Sequence, residues 1–317
     1  MRYSVIDELV QILVKPNPVL VKPVKTLLFI VCLLIGYTPS YSQEQDKSAS
    51  IALFTGAMNY QGDLNPSSFK FLHSGLTIGL IYRKPLNRWF TLRGGITVGK
   101  IMAADKWNRD YLQMRNLSFT TTLQEIHTGL EVNVLDISTN LFTPYLYGGV
   151  AVFHFNPWTN DNSGTKTYLK PLSTEGQGIS AYPERKPYQL TQFSLSFGAG
   201  LKFAISDAIQ IGIELNQRKT FTDYLDDVSS SFVDVDILRQ ERGDKAVELA
   251  YRADEIPNGQ LLYPNHGDQR GTPSEMDWYY FFGFTSEIKL HAIGGLFGSR
   301  TNTKGVKSQR CPRNVSY

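Results

Sequence analysis

The chain has 317 residues, with 32 Lys and Arg against 29 Asp and Glu. A net charge of +3 gives no argument for a nucleic-acid partner. Charged residues are 19% and aromatics 12%, against the roughly 25% charged residues usual in soluble domains. There are two cysteines, Cys32 and Cys311, which exclude a disulfide framework within the mature chain.

The first predicted element is a targeting segment at 1–42. The basic stretch VKPVK precedes the apolar run TLLFIVCLLIG, and a small-x-small site follows at Ser40-Tyr41-Ser42. This is the order of a secretory signal, with cleavage expected before Gln43. The apolar run is too short to span a bilayer. Cys32 lies in mid-run with no small residue before it, which argues against a lipoprotein site. Residues 1 to about 20 precede a normal signal and suggest a misplaced start codon.

After residue 43 the period changes. Eight segments alternate apolar and polar residues, at 50–60, 74–84, 89–101, 117–134, 143–155, 191–205, 208–218 and 277–290. The clearest is FSLSFGAGLKFAI. Phe193, Leu195, Phe197, Leu201, Phe203 and Ile205 share one face, and Ser194, Ser196, Gly198, Gly200 and Lys202 share the other. Such alternation specifies a strand. Most segments reach the length a tilted strand needs to cross a membrane. The connections KPLN, LDISTNLF and SDA are short, whereas those at 156–190 and 219–276 are very long. Short turns at one end and long loops at the other predict an all-β fold: an eight-stranded antiparallel transmembrane β-barrel over 43–295, with short periplasmic turns and long extracellular loops. An even strand count then puts both termini in the periplasm.

The competing architecture is a soluble barrel with its apolar face inward. Eight strands enclose a space that side chains just fill. Phe193, Phe197, Phe203, Phe282 and Phe284 are too bulky to point inward together. Aromatic girdles at the lipid headgroups are expected from Tyr82, Trp89 and Phe90 at the short-turn end. At the loop end they are expected from Phe153, Trp158, Trp278 and Tyr280.

The inward face carries Arg93, Glu125, His127, Glu131, Lys202, Glu214, Glu287 and Lys289. Unpaired charges are costly in a narrow lumen, so mixed signs predict a salt-bridged, closed interior. Glu125 and His127 share a face two residues apart, which also admits an acid/base reading, and His154 lies near the outer rim. No serine is tied to either histidine. The five histidines show no ligand spacing, and the acidic stretch after 223 lacks the calcium-loop pattern. No cofactor, metal or small-molecule substrate is expected. The stretch RKTFTDYLDDVS opens the longest loop. Arg218 keeps inward parity and is placed to cap the lumen beneath Asp223, Asp226 or Asp227. The loop itself reads as a solvated, partly ordered segment, with a helix at DILRQERGDKAVELAYRADE weakened by Gly243. The tail at 296–317 carries Arg300, Lys304, Lys307, Arg310 and Arg313 and no acid. It reads as a disordered basic end or as a docking peptide for a periplasmic partner.

Several stretches then form an ordered set: NYQGDLNPS, RNLSF, FTPYLYGGVAVFHFNP, PLSTEGQG, RKTFTDYLDDVS, RGTPSEMDWYYFFGF and RCPR. From about residue 50 to the end, the chain resembles PorG-like outer-membrane barrel proteins of the type IX secretion and gliding apparatus. Members of that family are often described only as a barrel domain of unknown function. The resemblance implies a non-enzymatic component, set in outer-membrane lipid, that associates with a periplasmic lipoprotein ring. The translocating pore of that system is a different, larger barrel. The alternatives are a passive OmpA-like stabiliser or surface binder, and a lipid-modifying hydrolase that uses His154 and His127.

Overall fold

The computed structural model describes residues 48–66, 73–257, 259 and 262–292. The predicted signal segment and the basic tail, with Arg300, Lys304, Lys307, Arg310 and Arg313, lie outside the described residues.

Eight long strands form the wall: β1 (Ser50–Gln61), β2 (Gly75–Pro85), β3 (Phe90–Ala104), β4 (Ser118–Asn133), β5 (Phe142–His154), β8 (Thr191–Ala204), β9 (Ile209–Thr220) and β10 (Trp278–Lys289). Each neighbour pair is antiparallel, in the order β3–β2–β1–β10–β9–β8–β5–β4, and β3 pairs with β4 to close the barrel. Closure leaves none of these eight strands, over the described residues, as an open edge, the condition for a sheet to stand in lipid. The strand ends agree with the sequence expectation to within three residues. Ser50 pairs with both Arg83 and Lys289, so the chain enters and leaves the barrel at the short-turn end.

The pleat is turned inside out relative to a soluble barrel. Leu76, Ile126, Phe193 and Phe284 are 87%, 68%, 68% and 61% exposed, and Ile78, Ile96, Leu146 and Val150 also face outward. The opposite face holds buried Ser194, Ser196, Thr97, Glu125, Glu131 and Glu214. A belt of this extent left in water would be strongly unfavourable, at about 25 cal/mol per Å² of apolar surface. In lipid it is matched to its solvent. Among the described residues no helix is long and apolar enough to cross a membrane; the strands form the crossing.

The girdle expectation needs two corrections: Tyr280 is 3% exposed and does not stand at the lipid surface, and Phe153 faces inward. Tyr82 and Phe90 are exposed on the outer face, as expected. Phe153 has the inward parity of β5 and is 1% exposed. It packs 5.2 Å from Tyr279 and 5.8 Å from Phe155, ring centre to ring centre, and belongs to the filling of the lumen.

The long loops also differ from their expected solvated state. A short hairpin, β6 (Trp158–Asn160) and β7 (Lys166–Tyr168), extends the wall by pairing Trp158 with Thr120 of β4. Between β3 and β4 lies the single-turn helix α1 (Asp110–Gln113). The last loop folds into α2 (Val235–Arg242) and α3 (Asp244–Ala250). Asp234 caps α2 by accepting from the backbone N–H groups of Asp236 and Ile237 at 2.9 and 3.1 Å. Gly243 separates the helices at φ 82° and ψ 173°, a region essentially reserved for glycine. Gly243→Ala meets no neighbouring atom, so its effect is backbone strain alone. It is expected to cost about 1–3 kcal/mol of local stability, measured as faster amide hydrogen exchange in α2 and α3 with β-strand exchange unchanged.

Candidate functional site

The lumen is filled in two layers. Toward the short-turn end stand three cations and three carboxylates: Arg83, Arg93 and Lys202 with Glu131, Glu214 and Glu287. Arg83 reaches all three acids, with Nε 2.7 Å from Glu131, Nη1 2.7 Å from Glu287 and Nη2 3.1 Å from Glu214. Arg93 lies 3.2 Å from Glu131 and 2.8 Å from Glu214, and its guanidinium stands over the Tyr147 ring at 4.2 Å. Lys202 pairs with Glu131, Tyr145 and Asn216 donate to Glu214, and Ser50 donates to Glu287. The group is charge-balanced and buried. Buried carboxylates persist only when cations and donors surround them in this way.

A second group lies further along the lumen. Arg218 grips Glu125 with two bonds of 2.8 and 2.9 Å, and the Tyr279 hydroxyl donates to the same carboxylate at 2.7 Å. His127 Nδ1 stands 3.0 Å from Glu125 Oε1 but off the hydrogen-bonding line, and neither ring nitrogen has a well-formed partner. Glu125 is thus held by a permanent cation and by the Tyr279 hydroxyl. The arrangement joins β4 to β9 and β10 across the lumen. His154 points outward, its Nδ1 3.0 Å from the Thr191 hydroxyl. Lys289 is half-buried at the short-turn end of the inward face.

Arg218 was placed by parity as a cap beneath the loop aspartates. Its bidentate partner is Glu125, down in the lumen, because a planar guanidinium matches a carboxylate best with two parallel bonds. Arg83, the hub of the first group, went unread in the sequence. Its signal was present: it shares the parity of Thr77, Gly79 and Ile81, opposite Leu76, Ile78, Leu80 and Tyr82.

Above Arg218 the lumen turns aromatic, with Tyr60, Phe119, Phe153, Phe155, Tyr279 and Phe281 all buried. The Tyr60 and Phe119 rings meet edge-on at 5.0 Å. Leu225, Val228 and Leu249 from the last loop close over them.

The cap binds its loops to one another through charged side chains. Arg115, in the β3–β4 loop, is held by Asp105 at 2.7 and 2.8 Å and donates to the Arg270 carbonyl. Arg270 bonds Glu175 at 2.9 Å and the Asp227 carbonyl at 2.6 Å. Glu175 also accepts from the N–H groups of Ser229 and Ser230 at 2.9 and 3.0 Å. The stretch TEGQG therefore supplies the buried acid that ties two loops together. Asp63, after β1, accepts from the Thr272 N–H at 3.0 Å.

The three predicted rim aspartates are all buried. Asp227 accepts from the hydroxyls of Thr174 at 2.6 Å and Tyr188 at 2.7 Å. Asp226 accepts from Tyr60 at 2.5 Å and from the Val228 N–H at 3.0 Å. Neither carboxylate oxygen of Asp223 meets a well-aligned donor. Asp277 is fully buried beside them, accepting from the Leu225 N–H at 2.8 Å. A Cβ on Gly62 would stand 1.9 Å from its Oδ1 and 2.1 Å from the Tyr60 hydroxyl, so only glycine lets the chain leaving β1 pass here. Burial, together with the charges of Asp226 and Asp63, pushes Asp223 up to about 9. Burial and the Asp63 charge push Asp226 up to about 8. Burial lifts Asp227 to about 6 against the pull of Arg270. Asp277 is raised well above the usual range by burial, then by Asp226 and Asp223. Among the described residues no three His, Cys, Asp or Glu side chains converge as a metal-binding group.

Among curated proteins, none matches the sequence. Among the solved structures that align over most of the chain are three outer-membrane barrels. Neisserial surface protein A shows 7% identity over 76% of this chain and 96% of its own, with a TM-score of 0.37. Ail of Yersinia pestis, solved with the heparin analogue sucrose octasulfate, shows 11% identity over 77% and 100%, at 0.35. OprG of Pseudomonas aeruginosa shows 10% identity over 77% and 97%, at 0.34. Identities and scores this low leave the fold resting on the chain's own strand pairing. At the sequence level, residues 25–241 match the family described as Domain of unknown function (DUF6089), a range that reaches from before β1 into α2. The chain belongs to the DUF6089 family.

Proposed function

We propose that the protein is a non-enzymatic integral barrel of the outer membrane whose role is positional: it anchors or stabilises a type IX secretion or gliding assembly. The observation that carries this reading is the filled lumen. Ion pairs occupy one half and aromatic rings the other, and a tied cap covers the open end. A barrel built in this way offers faces and a fixed place in lipid, not a passage. The ordered motifs NYQGDLNPS, RKTFTDYLDDVS and RGTPSEMDWYYFFGF support the assignment to the secretion system through their resemblance to PorG-like proteins. The partner is a periplasmic lipoprotein ring. It meets the short-turn end and the basic tail carrying Arg300, Lys304, Lys307, Arg310 and Arg313.

Affinity purification from solubilised membranes tests this, using the full chain and a version ending at residue 295. The full chain is expected to recover a periplasmic lipoprotein with its ring partner, and the shortened chain to recover about tenfold less. Recovery of no ring protein by either version would leave a passive OmpA-like stabiliser as the better reading.

A further inference from the structure

Strand parity places Lys100 on the outer face of β3, continuing the outward series Leu92, Ile96 and Val98. It is the first charge above the apolar belt on that strand. Next to it the β6–β7 hairpin rises from β4, and Trp158 on β6 turns its ring toward two lysines. Lys100 Nζ lies 5.8 Å and Lys166 Nζ 4.6 Å from the centre of that indole, and Lys166 is also 4.8 Å from the Tyr168 ring. Among the described residues neither lysine lies within ion-pairing distance of a carboxylate. The nearest acid in the hairpin, Asp161, is held by Lys245 at 3.0 Å and by Ser163 and Thr165. A cleft of about 280 Å³ adjoins the group, lined by Lys106, Trp107, Ser118, Thr120 and Arg252. Arg252 is neutralised there by Glu255.

Two uncompensated ammonium groups held on one ring keep their donors directed outward, since the ring face restrains the stem without accepting a strong hydrogen bond. An anion is the complementary ligand. The anion's source follows from position on the wall: exposed Val98 lies two residues from Lys100 toward the short-turn end, exposed Ile126 pairs with Ile96 further that way, and exposed Leu76 stands beside Lys100 on β2, so acyl chains run up to the pair. Lysine and tryptophan at that boundary mark the headgroup level.

We propose that Lys100, Lys166 and Trp158 form a binding seat for a phosphorylated lipid headgroup, with its acyl chains on Leu76, Val98 and Ile126 and its polar body toward the Lys106–Thr120 cleft. The proposal rests on the transmembrane fold and is independent of the secretion role. Native mass spectrometry of the purified barrel tests it, after incubation in detergent with diphosphorylated lipid A, with its dephosphorylated form, or with inorganic phosphate. The wild type is expected to retain the diphosphorylated lipid and not the dephosphorylated one. Lys100→Gln/Lys166→Gln is expected to lose retention by about tenfold or more, the scale of a lost charge-assisted contact. Arg88→Gln, which removes the cation stacked on Trp89 at the other end, is expected to retain it fully. Heat-modifiable gel migration confirms that each variant is folded. Equal retention of both lipids, unchanged retention by the folded double variant, or displacement by millimolar inorganic phosphate would overturn the proposal.

Discussion

Glu214→Gln is expected to be the most damaging single substitution in the barrel, at about 3–5 kcal/mol, the cost of breaking a buried ion pair from one side. Glu214 accepts from Arg83, from both terminal nitrogens of Arg93, from Tyr145 and from Asn216. The amide nearly preserves shape but removes one of three negative charges that balance Arg83, Arg93 and Lys202. One positive charge is then left in a lumen closed to water. Charge, not size, sets the effect, so Glu214→Leu/Arg93→Met should recover at least half of the loss by restoring balance. Urea unfolding of barrels refolded in lipid vesicles, followed by heat-modifiable migration, measures both. A single variant within about 0.5 kcal/mol of wild type, the range of ordinary surface substitutions, would show that the ion-pair group does not lock the barrel.

Raising pH is expected to release the cap while the barrel stays closed. An unfolded aspartate loses its proton near pH 4, whereas Asp223 holds its own to about 9 and Asp226 to about 8. Between those values the folded cap binds more protons than the unfolded chain, so stability falls as pH rises. The stabilisation is complete below about pH 4 and is lost as pH passes through about 8 and 9. Protease cleavage within 221–277 is therefore expected to be at least about tenfold faster at pH 9.5 than at pH 6, the effect of a single pKa unit. Asp223→Asn mimics the protonated carboxyl and should reduce this dependence, and Asp223→Asn/Asp226→Asn should reduce it further. Asp227→Asn should not, because Asp227 titrates at about 6, at the lower edge of this window; it should instead weaken the cap at every pH, since one of the donors Thr174 and Tyr188 would face an amide nitrogen that cannot accept. Cleavage independent of pH in the wild type would remove the account.

The strands were legible because β-structure writes its two faces into alternate residues. FSLSFGAGLKFAI shows both its lipid side and its lumen side without any partner in view. The same parity placed Arg93, Glu125, Glu131, Lys202, Glu214 and Glu287 inside the barrel. The extended run at 219–276 carried no such period. Its acids resembled a solvated loop, because Asp, Ser and Gly look alike in a flexible loop and in a folded cap. Gly243 was a visible warning in the predicted helix and became the joint between two.

The barrel, its eight wall strands and the side chains that face inward follow from residue order alone, from a period of two and from the alternation of short and long connections. Which charged groups pair is set by the folded arrangement. Arg218 could meet Glu125 or the loop aspartates with equal parity, and the choice fell to the register between β4, β5, β8 and β9 that brings two distant strands face to face across the lumen. Arg270, Glu175 and Asp227, far apart in the chain, meet only because two loops fold over the same closed end. Long-range electrostatic pairing depends on distances set by closure, and a linear pattern of residues contains no distances across a barrel.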